Sequence, residues 1–310
     1  VTREEKIEKL RNLTKAYILY SLYTRVPFVE CEQANFYDQA FLFETKEDAE
    51  EAAKRMYDNG DPVGITELKI VDLPRPEGAA DNVVPMRRLM RNQVRENLTK
   101  FPLFGINAVF FKPAEDRGES LPLDDVLPEE VKAEVNKEQT ELVGLKLTGL
   151  YFAQYIRRNQ KDVQLAKERY EEFYANLARA QLLLPVIPEE AHRDDPSLNL
   201  TKCMLPIYTP HDENGDVAKA DGEAQKAEGE DKKPKISALG LFTNMDEVVV
   251  HSRNHLKEVR VVRVAMDQIR NFVPEHVEYV VIDPLTMSIT LKVDDVVKVI
   301  KEIRGEEPQA

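Results

Sequence analysis

The sequence predicts an α+β fold of mixed β-sheets flanked by helices, arranged as two tandem units with a helical segment connecting them. Three observations predict it. First, residues 236–303 alternate between strand-like and helix-like patterns: an apolar run of strand length, a capped helix, a β-rich stretch, a short helix closed by Pro274, the β-branched run 277–282, an alternating strand and a last helix opening at Asp294. Second, three earlier blocks repeat this wording in the same order. FLFETKEDA at 41–49 matches GLFTNMDEV at 240–248, NAVFFKP at 107–113 matches EYVVIDP at 278–284, and SLPLDDVLPEEV at 120–131 matches SITLKVDDVVKVI at 288–300. Third, the chain has 310 residues and is 42% hydrophobic, which suits two domains with cores of their own. The expected boundaries are 1–125 for the first unit, 126–180 for the helical connector and 181–305 for the second unit, with a low-complexity, flexible insert of Asp, Glu, Lys, Gly and Ala at 211–235.

In chain order, residues 2–23 read as one helix, opened by a capping box of Thr2 and Glu5. Strands follow at 26–31 and 40–43. Thr45 caps a helix over 46–59 that ends at Gly60. A strand over 62–71, a loop, an arginine-rich helix over 83–98 and a strand over 105–111 complete the first unit. Residues 129–179 read as two helices broken near Gly144 and Gly149, and Tyr151, Tyr155, Tyr170, Phe173, Tyr174 and Leu177 are expected to pack the two units together. Strands at 182–187 and 203–208 lead into the insert.

Composition excludes several functions. A net charge of −13 and a pI near 5.1 argue against nucleic acid and against anionic membrane surfaces. Two cysteines make neither a disulfide framework nor a zinc cluster. With no apolar leader in the first residues, a reducing, cytoplasmic location is expected. The densest apolar run, 142–156, is too short to span a bilayer and carries Lys146.

Candidate chemistry is sparse. Glu247, His251 and His255 recur every four residues and would share one helix face within reach of a divalent metal, against the plainer reading of a solvated polar face. Residues 212–216 superficially resemble a calcium loop but lack its closing glutamate. The pairs Asp124-Asp125 and Asp294-Asp295 sit where helices begin and read as caps before they read as acid and base. Cys31 lies between two glutamates, which oppose thiolate formation, and Cys203 reads as core. Arg87, Arg88, Arg91 and Arg95 form a basic patch that could receive an acidic segment or pair within the chain. No glycine-rich phosphate loop is present and no cofactor is expected.

The blocks ARAQLLLPVI (178–187), GLFTNMDEV (240–248) and VVIDPLTMSITL (280–291) resemble the SseB family, the enhanced serine sensitivity proteins, over about residues 167–303. Phe242-Thr243-Asn244 and Asp283-Pro284-Leu285-Thr286 stand where that family has an FTS-like corner and an NPGS-like turn, with Asp for its usual Asn and Leu for its usual Gly. The resemblance implies a cytosolic α/β domain of bacterial type and supplies no catalytic residue. The resulting expectation is a non-enzymatic interaction or scaffold protein, binding a protein partner or itself. The alternative is a regulatory module that holds an amino-acid-like metabolite in a cleft between the units.

Overall fold

A computed structural model describes residues 1–22, 24, 26–58, 60, 63–72, 90–132, 142–156, 162–192, 200–208, 236–252 and 258–305. These form two compact units, the first ending at Val143 and the second beginning at Gly144. The fold is α+β, as the alternation of patterns predicts.

The first unit opens with α1 (Arg3–Arg11), whose capping box is formed by Thr2 and Glu5. The helix stops at Asn12, and the chain then enters strand β1 (Lys15–Ser21). The single helix expected over 2–23 is therefore wrong in its second half. Its run of aromatic, branched and leucine side chains is buried on both faces of a central strand, and such a run mimics a helical stripe while favouring the pleated backbone. Next come β2 (Glu30–Glu32), β3 (Tyr37–Phe43), α2 (Lys46–Asp58), β4 (Val63–Asp72), β5 (Met90–Asn92), α3 (Gln93–Lys100), β6 (Ala108–Lys112), β7 (Glu119–Pro122) and the single turn α4 (Leu123–Val126). The strand order is β5-β4-β1-β3-β6-β7, with β2 hairpinned onto β3. Among the described strands of this unit, only β3 and β6 run parallel. Ala49 and Ala52 let α2 approach closely, and they pack on Tyr17, Leu19, Phe28, Phe41, Phe43 and Val63.

The second unit holds α5 (Val143–Ile156), α6 (Val163–Arg179), β8 (Gln181–Pro188), β9 (Cys203–Met204), β10 (Ile207–Tyr208), β11 (Ala238–Leu241), α7 (Met245–His251), β12 (Arg260–Ala265), β13 (Tyr279–Ile282), β14 (Ile289–Lys292) and α8 (Val293–Arg304). The helices expected to connect the units thus belong to the second one. No break occurs at Gly144 or Gly149. A β-carbon on Gly149 would lie 3.1 Å from Ile289 and 3.2 Å from Met287, so this glycine seats the helix against β14 rather than ending it. The strand expected over 203–208 is split in two around Pro206, which has no N–H for a ladder. The short helix before Pro274 is a 3-10 turn, Met266–Asn271. The aromatic residues of α5 and α6 meet within this unit: Phe152 stacks on Phe173 at 4.5 Å, and the Arg169 guanidinium lies 4.3 Å from the Tyr151 ring centre.

Strands β10-β11-β13-β14 form one sheet and β12-β8-β9 another. A reciprocal backbone pair between Leu183 and Phe242 links them, giving the running order β12-β8-β11-β13-β14. This is the order β4-β1-β3-β6-β7 of the first unit, with β10 on β11 as β2 is on β3. The registers agree as well. Leu42 is opposite Phe111 where Leu241 is opposite Ile282, and Phe110 is opposite Ser120 where Val281 is opposite Thr290. The first two pairs of blocks equate Leu42, Phe110 and Phe111 with Leu241, Val281 and Ile282, and the Asp-Asp-Val triplets of the third equate Ser120 with Thr290.

Candidate functional site

In sheets with parallel neighbours, chemistry gathers where those strands end. In the second unit the parallel strands β11 and β13 run into Thr243 and Asp283. Thr243 leads to Asn244, the N-cap of α7, whose side chain accepts the Glu247 N–H at 3.0 Å. Asp283 starts a tight turn at φ 44, in the left-handed region that Asp tolerates better than most residues. Its carbonyl accepts the N–H groups of Thr286 and Ser288, each at 2.9 Å.

The side chains at this corner bond to one another. Thr243 donates its backbone N–H and its hydroxyl to the two Asp283 oxygens, at 2.8 and 2.7 Å. Glu247 Oε1 accepts from Lys146 Nζ at 3.0 Å and from the Thr286 hydroxyl at 2.9 Å. All the charged members are buried: Asp283 is 0% exposed, Lys146 3% and Glu247 6%. Burial pushes the Asp283 carboxyl up to about 6, with Glu247 adding to the rise and Lys146 opposing it. The corner therefore holds two acids and one base out of water. Lys146 comes from α5, a largely apolar helix in which it is the one charged residue.

The first unit has a polar corner at the same place with different charges. Glu44 follows β3, accepts the Ala114 N–H at 2.8 Å and pairs with Lys9. Thr45 bonds Asp48 in the first turn of α2, and Asp48 pairs with Lys112 at the end of β6. Lys112 occupies the position of Asp283, and Asp48 that of Glu247. In the first unit the cation thus stands at the strand end itself, whereas in the second it arrives on a separate helix.

Two residues of the predicted metal face are described. Glu247 turns inward to Lys146, not to solvent. His251 lies at the end of α7, where its Nδ1 shares a hydrogen bond with the Tyr208 hydroxyl and its ring rests 5.1 Å from Phe242. Burial lowers the His251 pKa, which favours the neutral ring. His255 lies outside the described residues, among which no cluster of three His, Cys, Asp or Glu side chains could hold a metal. Arg87 and Arg88 also lie outside them, as does the 211–235 insert; Arg91 pairs with Glu96, and Arg95 is exposed on α3. Asp125 binds Arg3, Asp294 binds Arg270, and burial raises the Cys203 thiol pKa. Sequence reasoning named Thr243 and Asp283 only as corner motifs and passed over Lys146. The missed signal was a single lysine in an apolar helix, which calls for a buried acid.

The tie between Tyr208 and His251 also explains Gly240. A β-carbon there would sit 2.5 Å from the Tyr208 ring, which the histidine holds in place. Gly240→Ala is expected to cost about 1–3 kcal/mol in urea unfolding, with part of the loss recovered when Tyr208→Ala is added.

Residues 162–297 match the family model described as SseB protein N-terminal domain. The second unit carries an SseB domain. The match begins at the start of α6, so the SseB segment contains Thr243, Glu247 and Asp283 but not Lys146. Comparison with curated proteins and with solved structures gives no match. Among the described residues no helix is long and apolar enough to cross a membrane.

Proposed function

We propose that this chain is a non-enzymatic cytosolic interaction protein built from two copies of one SseB-like unit. The common strand order and register support the duplication. The carrying observation for function is the outer face of α7, which presents Met245, Val249 and Val250 to solvent, while the polar groups beneath the helix are engaged with each other. Three large apolar side chains on one exposed helix face favour a contact surface. The buried corner favours a structural polar network over a substrate site.

The test is retention of a native-lysate partner on the immobilised full chain and on the variant Met245→Ser/Val249→Ser/Val250→Ser. A stoichiometric partner on the wild type, weakened about tenfold or more in the variant, is the expected result. Absence of any partner, together with a thermal shift on adding amino acids, would replace this reading with the metabolite-binding one.

A further inference from the structure

Helix α1 is seated on the first unit mainly by charge. It buries Leu10 and, beside it, the stem of Lys6. Each of its basic residues bonds to the rest of the unit. Arg3 pairs with Glu119 at 3.1 Å and with Asp125 at 3.0 Å. Lys6 pairs with Glu119 at 3.2 Å and with Asp116 at 3.4 Å, and Lys9 pairs with Glu44 at 2.6 Å. Arg11 donates to the carbonyls of Asp125 and Val126, at 2.7 and 2.9 Å. The acids Glu4, Glu5 and Glu8 are exposed. The helix is therefore basic on its inner side and acidic on its outer side.

The second unit fixes the equivalent helix differently. There α6 leads into β8 as α1 leads into β1, and it buries Phe173, Tyr174, Leu177 and Ala178. Apolar side chains can thus hold a helix at this place, and in the first unit ion pairs largely replace them. Pairs as exposed as those of Arg3 and Lys9, whose side chains are each 39% exposed, are individually weak and are screened by salt. At nine residues α1 is also too short to keep its form once undocked, since isolated helices need about 12–15. The chain just after it is pinned. The Leu13 carbonyl accepts the Asn92 side-chain amide at 3.0 Å, Asn92 caps α3, and β1 lies between β3 and β4. Opening of the helix can therefore stop at Asn12 without disturbing the sheet.

We infer that α1 is a releasable strap: it undocks and unfolds as one element, under the control of ionic strength, while the sheet beneath stays folded. Release uncovers the carboxylates of Glu44, Asp116, Glu119 and Asp125 together with the seat of Leu10. Such a low-stability element beside a stable strand is what a conformational switch requires.

The test is amide hydrogen exchange on the full chain. Protection of residues 6–12 is expected to fall about tenfold between about 50 and 500 mM sodium chloride, while residues 16–20 of β1 and 173–178 of α6 keep theirs. Two variants then separate ion pairing from general damage. Glu119→Gln removes a partner of both Arg3 and Lys6 from outside the helix, and Lys9→Gln removes a half-exposed pair with little change in helix propensity. Each should speed exchange of residues 6–12 severalfold at about 50 mM salt and flatten the response to added salt, with β1 unchanged. Protection of α1 that is indifferent to salt would overturn the proposal. So would α1 and β1 losing protection together, in the wild type or in both variants, because the helix would then open only with the whole unit. Variants with wild-type exchange at low salt would show that Leu10 alone seats the helix, and would overturn it too.

Discussion

Lys146→Met is expected to destabilise the second unit by about 3–5 kcal/mol at pH 7, because Glu247 and Asp283 would remain buried without their counter-ion. Methionine matches the lysine stem in length, so lost packing contributes little and the electrostatic part dominates. For a unit of this size the unfolding midpoint should fall by roughly 10 °C. The pH dependence separates this cause from a simple packing defect. As pH falls towards 5 the stranded Asp283 carboxyl takes up its proton, and the gap between variant and wild type should narrow. A gap that stays constant from pH 5 to 8 in thermal melts would show that Lys146 acts only as a hydrophobic stem. Adding Glu247→Gln to Lys146→Met should restore part of the loss, since it removes one of the two stranded charges.

The opposite sign is expected for Asp283→Asn. The Asp283 pKa rises from 3.8 to about 6 on folding, so the folded state holds its proton more tightly than the unfolded chain. Below 3.8 both states are protonated and the residue contributes no pH dependence. Between 3.8 and 6 the unfolded chain ionises first, and stability falls as pH rises. Above 6 the full cost, on the order of 3 kcal/mol, is present in the wild type. Asparagine can keep the corner satisfied: its oxygen accepts the Thr243 N–H, and its amide donates to the Thr243 hydroxyl. Asp283→Asn should therefore match the wild type near pH 4 and exceed it by a few kcal/mol at pH 8. Denaturant midpoints measured across that range decide it, and a variant less stable than the wild type at pH 8 would show that the ionised carboxylate is a net stabiliser.

The strands at 277–282 and 288–293 and the last helix were legible in the sequence because pattern, caps and turn residues agree there. The repeated blocks also anticipated which positions share a register in the two sheets, since turn residues recur along with the apolar ones. Residues 15–21 misled because a strand buried on both faces loses the alternation that identifies strands. Gly144 and Gly149 misled because a glycine at a close helix–strand contact looks like a helix end when the neighbouring strand is unknown. The polar corner was the least legible part. Each of its residues has an ordinary local explanation as cap, turn or lone charge, and the bond that unites them joins Lys146 to Glu247 across 101 positions. Local wording carries no information about that pairing.

The placement of α5 bears on where this domain can be cut. The segment that matches the SseB family starts at residue 162, yet the ammonium that neutralises its interior lies upstream, on a helix whose Gly149 is fitted to β14. The family boundary and the folding boundary are therefore different lines. An excision at 162 would preserve every strand of the domain while removing the charge that makes its centre tolerable. A fragment beginning at α5 is therefore expected to be more stable in urea unfolding than one beginning at 162.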